Sequence, residues 1–179
     1  KNGPIHFIDQ VMHLYKPSIS SKRFQFHEEP AINSAQKTPN TYYFTDPQDF
    51  SVLSWTGVEE IIYFKSGTNM KAIGNDYIQA FGDFTINYKI PKILPGTYTV
   101  IFRADAHDNN NSNAVVELFI DGNKQGGNIN LTTGANAGNP FKDFNQNTIE
   151  FSTYTTHTVT VRTLLPGMLI WDCIEFNPI

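Results

Sequence analysis

The last hundred residues are a succession of short segments in which apolar and polar side chains alternate, each closed by a turn-forming pair. Phe84-Thr85-Ile86-Asn87-Tyr88-Lys89-Ile90 alternates in this way. Pro91 is expected to end it, because proline has no N–H to give to a ladder. Pro95-Gly96 turns into the strand Thr97-Tyr98-Thr99-Val100-Ile101-Phe102-Arg103. A polar loop from Asp108 to Asn113 leads into Ala114-Val115-Val116-Glu117-Leu118-Phe119-Ile120. Asp121-Gly122 is a strong hairpin signal, with the pairing strand resuming near Lys124. His157 to Leu164 alternates again, Pro166-Gly167 turns, and Met168 to Phe176 makes a final strand. Strand, short turn, strand, with no helical period, is the pattern of an all-β antiparallel sandwich, and a jelly roll suits this size.

Other segments are less regular. Gly126 to Asn147 is rich in Gly and Asn and reads as a long structured surface loop, followed by a short strand from Asn147 to Phe151. Ile61 to Lys65 reads as a strand, Tyr42-Tyr43-Phe44 as a candidate strand, and Val52 to Tyr63 could hold one short helix. Pro17 to Ser21 reads as a linker.

Composition narrows the class further. The 179 residues carry only 17% charged side chains, with 13% aromatic and a formal net charge of −4. That excludes disordered chains and coiled coils, which need more charge, and gives no basic footprint for nucleic acid. One cysteine, Cys173, allows no intrachain disulfide. The compartment is therefore either reducing, or the chain is exported and stable without bridges. No apolar run approaches the ~18 residues of a membrane span. No G-x-S-x-G or H-E-x-x-H motif is present, and Glu28-Glu29 and Glu59-Glu60 are adjacent pairs that a strand would point in different directions. The expectation is a non-catalytic domain.

Two segments resemble known families. Asn2-Gly3-Pro4-Ile5-His6-Phe7-Ile8-Asp9-Gln10-Val11-Met12 resembles the closing motif of fasciclin domains, N-G-x-x-H-x-I-D-x-V-L. That resemblance implies that residues 1–16 are the last strand of an upstream fasciclin domain plus linker, and that the sandwich occupies 17–179. Pro95-Gly96-Thr97-Tyr98, Leu118-Phe119-Ile120-Asp121-Gly122, His157-Thr158-Val159 and Trp171-Asp172-Cys173-Ile174-Glu175-Phe176 form an ordered series. It is similar to galactose-binding-like sandwiches, including carbohydrate-binding modules, such as those that follow fasciclin domains in Bacteroidetes surface proteins. The resemblance implies an extracellular, cell-surface lipoprotein that contacts a glycan or a matrix protein. Its rival is a structural spacer or protein-interaction module with no small ligand. In some members the aspartate matching Asp172 holds a structural calcium, partnered by an early glutamate; no early segment here matches that partner motif.

Sugar binding calls for an aromatic face flanked by amides and carboxylates. Trp55, Tyr42, Tyr43, Tyr77, Phe141 and Phe144 are the aromatics expected at exposed tips, with Trp55 the most prominent because Gly57 marks a loop. Asp105, Asp108 and Asn110 supply polar groups in one loop, and Asp143 sits beside Phe141. The Asp105 to Asn111 loop lacks the spacing of a calcium loop and reads more simply as a solvated turn. The register of Trp171 is undetermined, Cys173 reads as a buried small hydrophobe, and His157 as a strand-edge residue.

Overall fold

The computed structural model describes residues 17–29, 32, 36–47, 50–68, 70–107, 112–135 and 138–179. Among these, the strands in chain order are β1 (Lys22–Gln25), β2 (Asn40–Phe44), β3 (Leu53–Thr56), β4 (Ile61–Lys65), β5 (Asp76–Gly82), β6 (Thr85–Ile93), β7 (Gly96–Asp105), β8 (Val115–Ile120), β9 (Asn123–Asn130), β10 (Phe141–Phe151), β11 (Thr155–Leu165) and β12 (Gly167–Pro178). One sheet runs β10-β7-β12-β5-β4-β2, with β1 also pairing β12. The second runs β3-β6-β11-β8-β9. All pairings between these strands are antiparallel. No helix among the described residues is long and apolar enough to cross a membrane.

The alternation read from the sequence sets the two inner faces. Tyr98, Val100, Phe102 and Ala104 of β7 point into the core, as do Ile86, Tyr88 and Ile90 of β6 and Val159 and Val161 of β11. Trp171 lies fully buried where the sheets meet, with ring centroids of Phe26, Phe102 and Tyr88 at 5.3, 5.3 and 5.8 Å. Its Nε1–H donates to the Cys173 carbonyl at 3.0 Å, so the ring's one polar atom is satisfied. At the hairpin between β8 and β9, Asp121 and Gly122 have φ of 49° and 79°. Positive φ at both central positions is what a type I′ turn requires.

Three expectations are corrected. Pro91 does not end β6, which runs on to Ile93. The register with β11 shifts at this point, between Ile90 and Ile93, and a bulge is a place where a missing N–H is tolerated. Val52 to Tyr63 holds no helix: it contains β3, the turn at Gly57, and the start of β4. Gly126 to Asn147 is not one long loop, because β9 extends to Asn130 and β10 begins at Phe141.

Candidate functional site

Trp55 alternates inward on β3 and packs in the core at 6% exposure, so its ring is not the exposed platform expected of it. Tyr77, Asp105, Phe141, Asp143 and Asp172, far apart in the chain, gather on the outer side of the larger sheet. Tyr77 of β5 stacks on Phe64 of β4 at 5.1 Å and tilts against Phe141 of β10 at 6.2 Å. Register sets Phe141 opposite Asp105 and Asp143 opposite Arg103. Asp108 and Asn110 lie outside the described residues, as does the fasciclin-like segment 2–12.

Arg103, which the sequence reading did not single out, ties Asp143, Asp172 and Phe141 together. Its guanidinium donates to Asp172 Oδ2 at 2.7 Å, to Asp143 Oδ1 at 2.7 Å and to the Lys71 carbonyl at 3.2 Å, and it lies 5.8 Å from the Phe141 ring centre. The register of β12 on β7 shifts between Trp171 and Cys173, leaving Asp172 as the extra residue. A bulge of this kind re-aims a side chain, and the Asp172 carboxylate also accepts the Ile73 N–H, at 3.0 and 3.1 Å.

Calcium needs 6–8 oxygen ligands. At Asp172 the opposing charge is a guanidinium, and no group of three or more His, Cys, Asp or Glu side chains among the described residues could hold a metal ion. The residues present do not fit a structural calcium. Asp172 belongs to a buried ion pair instead. The early glutamates are engaged elsewhere or exposed: Glu29 is buried and accepts the Tyr88 hydroxyl, while the Glu28 side chain is 60% exposed.

Burial pushes the Asp172 carboxyl up from 3.8 to about 6, against the downward pull of the Ile73 N–H and Arg103. Burial also works against the charge on Arg103, but its bonds to Asp143 and Asp172 outweigh that and raise its pKa. Glu29, Asp76 and Asp105 are likewise raised, by burial first, although Tyr88, His27 and the His107 N–H respectively favour their charged forms. A raised folded-state pKa means that folding takes up a proton, so this stabilisation is fully present below about pH 4 and declines until the folded-state pKa is passed. For Asp172 the difference of about two units corresponds to ~3 kcal/mol. We expect a higher urea midpoint near pH 4.5 than at pH 7, and a smaller difference in Asp172→Asn.

A second feature adjoins the first. β9 and β10 are the outermost strands of their respective sheets on the same side of the sandwich, and a groove of about 500 Å³ runs between them. Its walls carry Asn128, Asn130, Thr133, Asp143, Asn145 and Gln146, with Phe144 as an apolar element and Lys142 Nζ 5.1 Å over that ring. Both edges are irregular here. The register of β10 shifts between Asn145 and Thr148, and β9 accommodates extra residues between Gln125 and Ile129. Bulges take backbone groups out of the ladder and turn side chains toward the opening. Gln146 donates Nε2–H to the Phe144 carbonyl at 3.3 Å, but its buried Oε1 has no hydrogen-bond partner among the described residues.

Cys173 is buried, and burial pushes its thiol well above the ordinary range, which suits an inert core residue. His157, near the start of β11, is only 6% exposed.

No protein-family model matches this chain, and no curated protein matches it either, so the fasciclin resemblance gains no support there. The sandwich is similar to part of a xanthan lyase from Paenibacillus, with a TM-score of 0.56 and 17% identity over 70% of this chain and 12% of the lyase. Two family 35 carbohydrate-binding modules also align over 78% of this chain and 99% of each module. The one from Clostridium thermocellum gives a TM-score of 0.48 at 12% identity, and the one from Paenibacillus barcinonensis 0.47 at 15%. The fold class is the one read from the sequence: an all-β sandwich of two antiparallel sheets.

Proposed function

We propose that this domain is a non-catalytic glycan-binding accessory module, and that the groove between β9 and β10 is its site. The observation that carries the reading is the Gln146 Oε1 acceptor, buried and without a partner among the described residues, in a groove lined by side-chain amides. A buried acceptor left unpaired costs about 1–3 kcal/mol, and a hydroxyl donor relieves that cost. Sugar hydroxyls donate and accept at once, as do the amides of Asn128, Asn130 and Asn145, while the Phe144 ring offers a surface for C–H groups. Water competes for each of these bonds, so affinity per site is expected to be modest. In keeping with the resemblance of the last hundred residues, we place the module on an exported surface protein. Cys173, free and buried, is compatible with that setting.

The test is glycan-array binding followed by calorimetry on Gln146→Ala and Asn128→Ala, in buffer with EDTA. Each variant is expected to lose about tenfold in affinity while keeping its unfolding free energy within ~1 kcal/mol of the parent. A clean null across the array, or binding indifferent to both variants, overturns the proposal. That result turns attention to the spacer or protein-docking reading, for which Tyr43 and Phe81, exposed at 62% and 65%, are the residues to substitute.

A further inference from the structure

We propose that the groove continues past Gly126 into a second sugar-hydroxyl subsite built on Asp121 and His157, so that the domain reads a linear oligosaccharide and not a single sugar; this rests on the glycan-binding reading above. A recess of about 440 Å³ lies between the other halves of the same two strands, lined by Asp121, Asn123, Gln125, Thr148, Glu150 and His157. The first groove is bounded by 127–130 of β9 and 142–146 of β10, and this recess by 123 and 125 of β9 and 148–151 of β10. The two therefore follow one another along a single seam. From Asn145 to Glu150 the strand passes four residues of β7, an advance of about 14 Å, more than one sugar ring occupies. Between them the strands come close: a Cβ on Gly126, at φ 63°, would run into the Gln146 side chain. Glycine at that point lets the Gln146 amide pack directly on the β9 backbone, at the junction of the two openings.

The imidazole of His157 is fixed from several directions. Its Nδ1 lies 2.6 Å from Asp121 Oδ2, and its ring centre lies 4.0 Å from that of Phe151. Asp121 is itself held, accepting the Thr158 N–H at 2.8 Å and donating its own N–H to the Thr158 carbonyl at 2.9 Å. In the neutral ring, a proton on Nδ1 directed at the carboxylate leaves Nε2 as the acceptor. That atom is buried and has no hydrogen-bond partner among the described residues. It is the second orphan acceptor on the seam, after Gln146 Oε1, and it asks for the same thing, a hydroxyl donor. Asn123 and Gln125 from β9 and Glu150 from β10 supply the surrounding donors and acceptors. Two separate acceptors short of a donor, one at the junction of the two openings and one in the recess, fit a chain of hydroxyls better than a lone monosaccharide.

The experiment is NMR on protein labelled with ¹⁵N, titrated with cellohexaose, xylohexaose and mannohexaose and with glucose, xylose and mannose. The expected result is that a binding hexasaccharide moves the His157 Nε2 resonance and the side-chain amides of Asn123 and Gln125 together with those of Asn128 and Asn145. His157→Phe keeps the ring packed on Phe151 and removes the acceptor. Thr148→Arg, at an exposed lining position, fills the recess without touching the core. Each is expected to weaken the hexasaccharide about tenfold and leave the monosaccharide unchanged. Shifts confined to Asn128, Asn130 and Asn145, with both variants binding the hexasaccharide like the parent, overturn the subsite and leave the groove standing. Shifts at His157 alone overturn the groove reading and the continuity of the two. No shift at either place with any of the six sugars overturns both.

Discussion

Arg103→Met is expected to destabilise the domain by about 3–5 kcal/mol at pH 7, because it leaves the Asp172 carboxylate buried without its cation. The side chain of Asp172 is fully buried and that of Arg103 is 12% exposed, so water cannot replace the guanidinium. One backbone N–H, from Ile73, would remain. Two controls separate this account from a loss of packing. The penalty should shrink as pH falls toward 4, since Asp172 then takes up a proton and no longer needs a counter-charge. Arg103→Met combined with Asp172→Asn should recover most of the loss, because a neutral amide oxygen can still accept the Ile73 N–H. The measurement is urea unfolding at pH 4.5 and 7 for the parent, both single variants and the pair. A penalty that is the same at both pH values, or additive in the double variant, would mean that the Arg103 stem and its packing matter more than the ion pair.

The same residue shows where sequence reading stopped. The strands with strict alternation were legible, and so was the hairpin at Asp121-Gly122, because period and turn chemistry are local properties. β10 was not. Phe141-Lys142-Asp143-Phe144-Asn145-Gln146-Asn147 offers few β-branched residues, and the strand forms because β7 provides a ladder to pair with, which overrides weak propensity. Pro91 misled for a similar reason: a bulge, which only the partner strand defines, absorbs it. Among site residues, Tyr77, Asp105, Phe141, Asp143 and Asp172 were each named, but nothing local said that Phe141, Asp143 and Asp172, from β10 and β12, would meet one cation on β7. A signal was available. Arg103 follows Thr99 and Ile101 on the outward side of an alternating strand, and a lone positive charge on such a face invites a search for its acid partners. Gln146 and His157 gave less away, since an unpaired acceptor exists only once every neighbour is in place.

Trp55→Ala is expected to cost about 3–5 kcal/mol in stability and to leave glycan binding untouched in whatever fraction stays folded. The sequence made Trp55 the most tempting sugar platform, yet its ring is 6% exposed and belongs to the core cluster. β3 is four residues long and, among the described residues, pairs only with β6, through Leu53, Ser54, Trp55 and Thr56. An edge strand this short depends on its two inward side chains, Leu53 and Trp55, for its place in the sheet. Removing the indole therefore opens a cavity and loosens the strand together, and the surrounding aromatics can collapse into the space only in part. Trp55→Phe, which keeps most of the apolar area, should recover a large share of the loss. The measurements are thermal and urea unfolding beside calorimetric titration of the same preparations. A Trp55→Ala protein with an unchanged urea midpoint and abolished glycan binding would return the site to the β3 end of the sandwich. Lowered stability with parent-like affinity keeps it at the β9–β10 seam, where edge strands and bulges leave polar groups free to meet a ligand.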